Sequence, residues 1–369
     1  MKSKEGKVLK SVVNRPIPLK PVVSPTASGI INGAKSDLGT CNDNIAENKF
    51  CSSCGKSGTP SKTLKKCTAC KCVYYCDIVC QKEHRKFHKE DCKLIKMVLQ
   101  DQASGMCAKT EDRCSDVHDH SDPRLYEDPT KEVCDICMLV LPVEPALGAY
   151  MTCCGKKTCS GCLWELSSVS RKVCPFCRAE APRTDEENLV RLIKRTEVND
   201  PHAFASLGHK HLRGVDGVSV DETVGVDFYI KAASFGSIEA YCKLALMYYE
   251  GNCGLEMDKA RAVRYWKLAA KGGDAESRHY LGVMEYNKNN IQAAIRHWRI
   301  ASEAGFRLSI ISLITEFSKG NICHLDIAET LQARDYAYNE AKSEQRDRYI
   351  SYLRDSTGNR FICHSSYKL

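Results

Sequence analysis

Two runs of paired cysteines constrain this chain more than any other feature. The first, "CSSCGKSGTPSKTLKKCTACKCVYYCDIVCQKEHRKFHKEDC", supplies Cys51, Cys54, Cys67, Cys70, Cys76, Cys80, His88 and Cys92. The second supplies Cys134, Cys137, Cys153, Cys154, Cys159, Cys162, Cys174 and Cys177. Eight soft or borderline donors per run are enough for two tetrahedral zinc ions each, four in all, with no position left for water. A closed shell implies structural metal. Segments of about 45 residues bury too little apolar surface to fold unaided, whereas structural zinc contributes roughly 10–16 kcal/mol per site. Removing zinc is therefore expected to unfold residues 51–177 and to spare the C-terminal part.

The competing reading of 23 cysteines is a disulfide framework. That reading needs an oxidising compartment, and the first thirty residues contain no uninterrupted apolar run of the kind a secretory leader requires. Nor does any segment approach the roughly 20 apolar residues that cross a bilayer. The expectation is an intracellular protein, cytoplasmic or nuclear, with no membrane contact, whose paired cysteines are metal ligands. The formal charge of +8 is concentrated at one end, since residues 1–100 carry 19 Lys plus Arg against 8 Asp plus Glu. These lysines are dispersed and lack an aromatic platform, so they read as solvated charges around small zinc sites and not as a nucleic-acid surface.

The spacing of the first run, with its Tyr75-Cys76, Cys80-Gln81 and His88-x-x-x-Cys92 elements, is similar to that of a MYND finger. The resemblance implies interleaved ligation, with Cys51, Cys54, Cys76 and Cys80 on one ion and Cys67, Cys70, His88 and Cys92 on the other. It also implies binding of short proline-containing peptides and no chemistry. Arg85 stands where the family usually has a tryptophan. Cys72 and His84 are spare; Cys72 reads as a small buried thiol and His84 as an exposed helix residue.

The second run resembles an all-cysteine RING finger, like that of the ubiquitin-ligase subunit of the CCR4-NOT complex. In "YMTCCGKKTCSGC" Lys156 stands where a RING normally has its histidine ligand. Adjacent Cys153 and Cys154 restore the count of eight. Lys156 is the alternative ligand and a poor one, because its ammonium loses a proton only near pH ~10.4, and thiolate suits zinc better. The resemblance implies Cys134, Cys137, Cys159 and Cys162 on one ion, and Cys153, Cys154, Cys174 and Cys177 on the other. It further implies a shallow apolar groove for a ubiquitin-conjugating enzyme, built from Ile136, Pro175 and Phe176 with Trp164 or Leu166. Arg178 would be the arginine that bridges ubiquitin and that enzyme, a task suited to the planar guanidinium. Such a finger acts by positioning a thioester, without a covalent intermediate. The plainer alternative is that these apolar residues complete a minimal core and Arg178 is a solvated charge.

From about residue 188 the composition turns to Ala, Leu, Tyr and Gly with helical periodicity. Leu207, Leu244 and Leu281 are spaced at 37 residues, as are Gly214 and Gly251 and also Gly236 and Gly273. Ala240, Ala269 and Ala270 permit close helix packing, and Tyr241, Tyr248 and Trp266 read as core. The pattern is similar to Sel-1-like repeats, relatives of tetratricopeptide repeats. That resemblance implies a solenoid of helix pairs binding proteins along its concave face. Three repeats fall at about 201–236, 237–273 and 274–305, and a degenerate fourth from Phe306 to Ala341 reads as a cap.

The expected architecture is multidomain, two small zinc-binding modules followed by an all-α helical-repeat solenoid. Its parts are a disordered tail (1–50), a MYND-type finger (51–92), a helix end and acidic linker (93–131), a RING-type finger (132–180), the repeats (188–341) and a C-terminal tail (342–369). Within the first tail, "RPIPLKP" (Arg15 to Pro21) has the basic-x-x-Pro-x-x-Pro spacing of a polyproline-type ligand. Cys242, Cys253 and Cys323 read as ordinary thiols, and the irregularly spaced Cys107, Cys114, His118 and His120 do not read as a third metal site. Tyr367 occupies the small-residue position of a peroxisomal tail, so the final "YKL" is not an address. The expected function is a zinc-dependent RING-type ubiquitin ligase that recruits protein substrates through the finger and repeats. The alternative is a non-catalytic interaction scaffold.

Overall fold

The computed structural model describes residues 49–58, 63–101, 132–141, 148–169 and 173–357. The spare Cys107, Cys114, His118 and His120, the "RPIPLKP" segment and the final "YKL" lie outside them. Among the described residues no helix is long and apolar enough to cross a membrane.

Regular structure is scarce in the finger regions because each cysteine pair reverses the chain within a few residues. The first contains an antiparallel pair, β1 (Lys65–Lys66) and β2 (Tyr74–Tyr75), and then α1 (Ile78–Asp101). The second contains the antiparallel pair β3 (Gly148–Tyr150) and β4 (Lys157–Cys159), followed by α2 (Ser160–Val169).

The rest is helical: α3 (Asp185–Glu197), α4 (Pro201–Arg213), α5 (Glu222–Ser234), α6 (Ile238–Glu250), α7 (Lys259–Lys271), α8 (Ala275–Asn287), α9 (Ile291–Glu303), α10 (Arg307–Ser318), α11 (His324–Glu340) and α12 (Glu344–Thr357). Side chains of Asp221, Ser237, Asp258 and Asp274 accept from first-turn amides of α5, α6, α7 and α8, each contributing about 1 kcal/mol. Gly214 and Gly251 end α4 and α6 in the left-handed conformation, φ 64° and 68°. That conformation favours a residue without Cβ.

Each repeat seats a large ring on a small residue. A Cβ added at Gly208 would stand 2.9 Å from the Tyr229 ring, and one at Gly282 would stand 2.6 Å from Cδ1 of Trp298. Ala245 and Trp266, both fully buried, occupy the same positions in the middle repeat. Tyr248 is buried with them, and Tyr241 is half-buried and stacks on Tyr265. The third repeat joins α8 to α9 through three residues instead of a glycine-bearing loop, which accounts for its shorter length.

The fingers are not independent of these helices. The buried cluster of the first finger, with Cys70, Val73, Tyr75 and Ile95, is continuous with Trp298 of α9, Leu313 and Phe317 of α10, and Ile327 and Leu331 of α11. Along that contact His324 Nε2 meets the Cys70 carbonyl at 2.7 Å, Gln332 donates to the Cys72 carbonyl at 3.2 Å, and Asn339 donates to the Ser52 carbonyl at 3.3 Å. His84 is only 6% exposed, which corrects its expected place on a solvent face. Its Nδ1 accepts from the Tyr75 hydroxyl at 3.0 Å, and its Nε2 lies 3.4 Å from Asp335 of α11. Cys72 is fully buried.

Asp335 also pairs with Arg334, which reaches Asp91 of α1 at 2.8 Å. Burial pushes the Asp335 carboxyl up, but the Arg334 charge and the His84 hydrogen bond outweigh it and leave the pKa below its ordinary value. The carboxylate is thus ionised in the interior. Within the expected C-terminal tail, residues 344–357 form α12, packed on the second finger.

Removing one partner of a buried pair strands the other. Asp335→Ala is expected to lower stability by about 3–5 kcal/mol, while Arg183→Ala, which breaks an exposed pair with Glu180, should cost less than ~1 kcal/mol. Equal midpoints for the two variants in urea melts would show that the Asp335 network does not hold the finger to the helices.

Candidate metal centres

One backbone device recurs at the cysteine pairs. The amide four residues after the first position of each turn donates back to that residue's carbonyl: Gly55 to Cys51 at 2.8 Å, Lys71 to Cys67 at 3.0 Å, Met138 to Cys134 at 2.9 Å and Arg178 to Cys174 at 3.0 Å. The donor residues all have positive φ, from 57° at Met138 to 71° at Gly55. Chain reversal of this kind turns both thiols of a Cys-x-x-Cys pair toward one point. The residues flanking three of these turns pair as isolated antiparallel bridges, Phe50 with Ser57, Val133 with Val140 and Val173 with Glu180.

A fifth turn has the same geometry and a different sequence. Gly155 donates to the Met151 carbonyl at 2.7 Å with φ 77°, and Tyr150 pairs with Lys157. Met151 therefore stands where the first cysteine of a pair stands elsewhere, and Cys154 occupies the second. Cys153, inside the turn, supplies the missing thiol. The signal was legible as Met-Thr-Cys-Cys-Gly set against Cys-Ser-Ser-Cys-Gly at 51–55.

The donor atoms gather into four sets, each with all members within 4.8 Å of one another. They are Cys51, Cys54, Cys76 and Cys80; Cys67, Cys70, His88 and Cys92; Cys134, Cys137, Cys159 and Cys162; and Cys153, Cys154, Cys174 and Cys177. Zn–S bonds of about 2.3 Å require tetrahedral S···S edges of about 3.8 Å. The structure has 3.5 Å between Cys54 and Cys76, 3.7 Å between Cys67 and Cys92, 4.0 Å between Cys137 and Cys159 and 3.8 Å between Cys154 and Cys174. His88 enters its set through Nε2, 3.2 Å from Cys70 Sγ. These soft, closed donor sets fit zinc. Lys156 is outside them, 56% exposed and 3.7 Å from Asp135.

Sequence reading missed the residues that brace the second finger. Tyr150 donates to Asp200 at 2.7 Å, and Arg195 holds the same carboxylate at 2.6 Å. Burial pushes the Asp200 carboxyl up, and the Tyr150 and Arg195 hydrogen bonds more than reverse this. Gly155 lies directly against that pair, since any Cβ there would collide with Arg195. On the other side Arg346 of α12 is 6% exposed and donates to the carbonyls of Val140 at 2.7 Å and Leu139 at 3.3 Å and to Cys137 Sγ at 3.6 Å. Burial pulls its guanidinium down while the Cys159 and Cys137 sulfurs push it above the ordinary value. A fixed positive charge here offsets part of the negative charge of a four-thiolate zinc site.

Of the residues expected to meet a conjugating enzyme, Ile136, Leu166, Pro175 and Phe176 are half-buried and Arg178 is exposed. Trp164 is engaged by α12, its ring 5.5 Å from Tyr352 and 6.2 Å from Tyr349. Leu166 lies two residues on, about 200° further round the helix, and faces away from that contact.

A family model described as MYND finger matches residues 51–92, and one described as Sel1 repeat matches 205–236, 238–274 and 276–306. The chain is 49% identical over 37 residues to a SET and MYND domain-containing protein of Dictyostelium discoideum, covering 10% of this chain and 7% of that protein. It is 38% identical over 53 residues to the histone-lysine N-methyltransferase ASHR1 of Arabidopsis thaliana, covering 14% and 10%. The chain thus spans a tenth or less of these curated relatives. A Sel1 repeat protein from Oxalobacter formigenes superposes with a TM-score of 0.35 at 23% identity, over 48% of this chain and 67% of that one. The antigen c5321 of uropathogenic Escherichia coli superposes at 0.36 and 20%, over 49% and 39%. The N-terminal part is a zinc-binding region containing a MYND finger, and an all-helical Sel1-repeat solenoid follows it.

Metal analysis of the purified chain is expected to return four zinc ions. Cys153→Ser should lower that to three and Lys156→Ala should leave four. The opposite pattern would make Lys156 the ligand.

Proposed function

We propose that this chain is a zinc-dependent protein-interaction scaffold in which both fingers are fixed parts of a helical-repeat body. The observation that carries this reading is the continuous core from Cys70 and Tyr75 through Phe317 and Leu331. A finger that shares its core with the repeats presents its remaining surface in a fixed relation to theirs, as a multivalent binding platform needs. The partners are proteins, and short proline-containing peptides are candidates at the first finger. The methyltransferase named among the relatives aligns with this chain over 53 residues only, a tenth of its own length, and its activity is not carried over.

A second reading, ubiquitin transfer through the second finger, is favoured by one observation. Arg178 follows the last ligand directly, is exposed, and has its backbone held at φ 62° by the bond to the Cys174 carbonyl. An arginine so fixed has its fork free to address two partners. In this reading the groove for a conjugating enzyme consists of Ile136, Leu166, Pro175 and Phe176. Trp164 is committed to α12. The finger would hold a ubiquitin thioester in near-attack geometry and contribute no nucleophile.

An autoubiquitination assay with a panel of conjugating enzymes separates the two. The scaffold reading expects no chains from the zinc-loaded wild type with any enzyme of the panel. Chain formation by the wild type that falls at least tenfold in both Ile136→Ala and Arg178→Ala, with four zinc ions retained, would replace it with the ligase reading.

A further inference from the structure

The helix of the first finger carries a row of like charges. On α1 the exposed Lys82, Lys86, Lys89, Lys93 and Lys96 are spaced four and three residues apart in alternation. At 3.6 residues per turn that spacing gathers all five into an arc of about 80°, along about 21 Å of helix. No other residue between 82 and 96 shares the arc. Lysines that look dispersed in the sequence are thus aligned by the helix. Beyond its last member the row runs into a groove of about 510 Å³, lined by Lys96 itself together with Thr68 and Lys71.

None of the five makes an ion pair or a hydrogen bond among the described residues. Elsewhere the chain pairs its lysines, Lys157 with Glu132, Lys210 with Asp216, Lys288 with Glu285 and Lys319 with Glu316. Like charges three and four residues apart destabilise a helix, so the row opposes folding and α1 is held from its other side. There His88 and Cys92 belong to a metal set, and Ile95 lies in the core shared with α10 and α11.

That commitment narrows what the row can meet. With its apolar side buried, α1 has no face with which to enter a lipid surface. No ring lies on the arc, which removes stacking on unpaired bases. What remains is a straight, regularly spaced line of positive charge, and its complement is a regularly spaced line of phosphates. Over about 21 Å a nucleic-acid duplex presents about a dozen of them, six on each strand. Carboxylates on a folded protein have no such fixed interval.

We propose that the lysine face of α1 is a docking surface for the phosphate backbone of a nucleic-acid duplex. Contacts to phosphate carry no sequence information, so the surface holds a duplex without reading its bases. This adds a nucleic-acid contact to the protein contacts of the scaffold reading and does not rest on them.

The test uses zinc-loaded full-length protein and short labelled duplexes of DNA and of RNA, followed by anisotropy over a range of salt concentrations. Five or six lysine contacts at about 0.9 each give a slope near −5 for log K against log salt, so going from ~50 to ~200 mM salt should weaken binding about a thousandfold. In Lys86→Gln/Lys89→Gln/Lys93→Gln the slope should flatten to about −2, and in Lys86→Arg/Lys89→Arg/Lys93→Arg it should stay at the wild-type value. Lys194→Gln/Lys259→Gln/Lys267→Gln removes the same charge from exposed positions on α3 and α7, and it should also leave the slope unchanged. The tighter of the two duplexes identifies the source of the phosphates. All these side chains are on the surface, and zinc content reports that the variants are folded. A wild-type slope flatter than about −2 with both duplexes would overturn the proposal. So would an α1 glutamine variant that binds like the wild type, or no more weakly than the α3 and α7 variant. Poly-glutamate that competes as well as unlabelled duplex at equal charge would overturn it in favour of an acidic protein partner.

Discussion

Bringing four thiolates within tetrahedral reach of one ion is the constraint on which the structure depends. Thiolates repel one another, so the cluster holds only with a cation at its centre, and the backbone must reverse sharply to present them. The five turns satisfy this with the same hydrogen bond and the same positive φ, at glycine, lysine, methionine and arginine alike. A non-glycine residue in that region costs about 1 kcal/mol or more. Lys71, Met138 and Arg178 are held there because metal binding is worth several times that amount. Arg346, buried against Cys137, compensates the charge that four thiolates bring to one zinc.

Solenoids leave apolar faces open at both ends, and terminal repeats must cover them. Here the zinc fingers supply much of that cover. The first finger lies on α10 and α11, placing Val73, Tyr75 and Ile95 against Leu313, Phe317 and Leu331. The second places Tyr150 against the cluster that includes Leu192 and Phe204 at the other end. Expecting zinc loss to spare the helices followed from a modular sequence. A shared core removes that independence, and unfolding of the first finger exposes the apolar surface of α10 and α11 with it.

Much of this was legible in the residues. The ordered pairs pointed to the sixteen donor residues that the fold gathers into four sets, and the 37-residue spacing of leucines and glycines pointed to the helix pairs. Both signals are local or strictly periodic. What remained hidden is long-range. Nothing near His84 announces Asp335, 251 positions away, and a lone histidine on a polar helix reads as solvated until its partner is seen. Residues 344–357 have a weak apolar pattern, since α12 is fixed by polar contacts from Arg346 and Arg348 and by the Tyr349 and Tyr352 rings, not by a wide apolar stripe. Trp164 looked like half of a groove for the same reason, because its true neighbours are nearly two hundred residues away.

The second finger touches both ends of the helical region, α3 and α4 through Arg195 and Asp200 and α12 through Trp164 and Gly161, whose Cβ would stand 2.8 Å from the Arg346 backbone. An open solenoid bends easily, because each repeat contacts only its neighbours. Tying the first helices to the last through one rigid zinc module removes most of that freedom. Ordering an interface costs about 0.5–1.5 kcal/mol for each side chain immobilised, and more where elements must also shift. A platform held at fixed curvature has met the second cost in folding, so a partner spanning several repeats meets only the first. In the scaffold reading the second finger therefore bears on binding even at surfaces it does not form, since it ties the first helices of the repeats to the last.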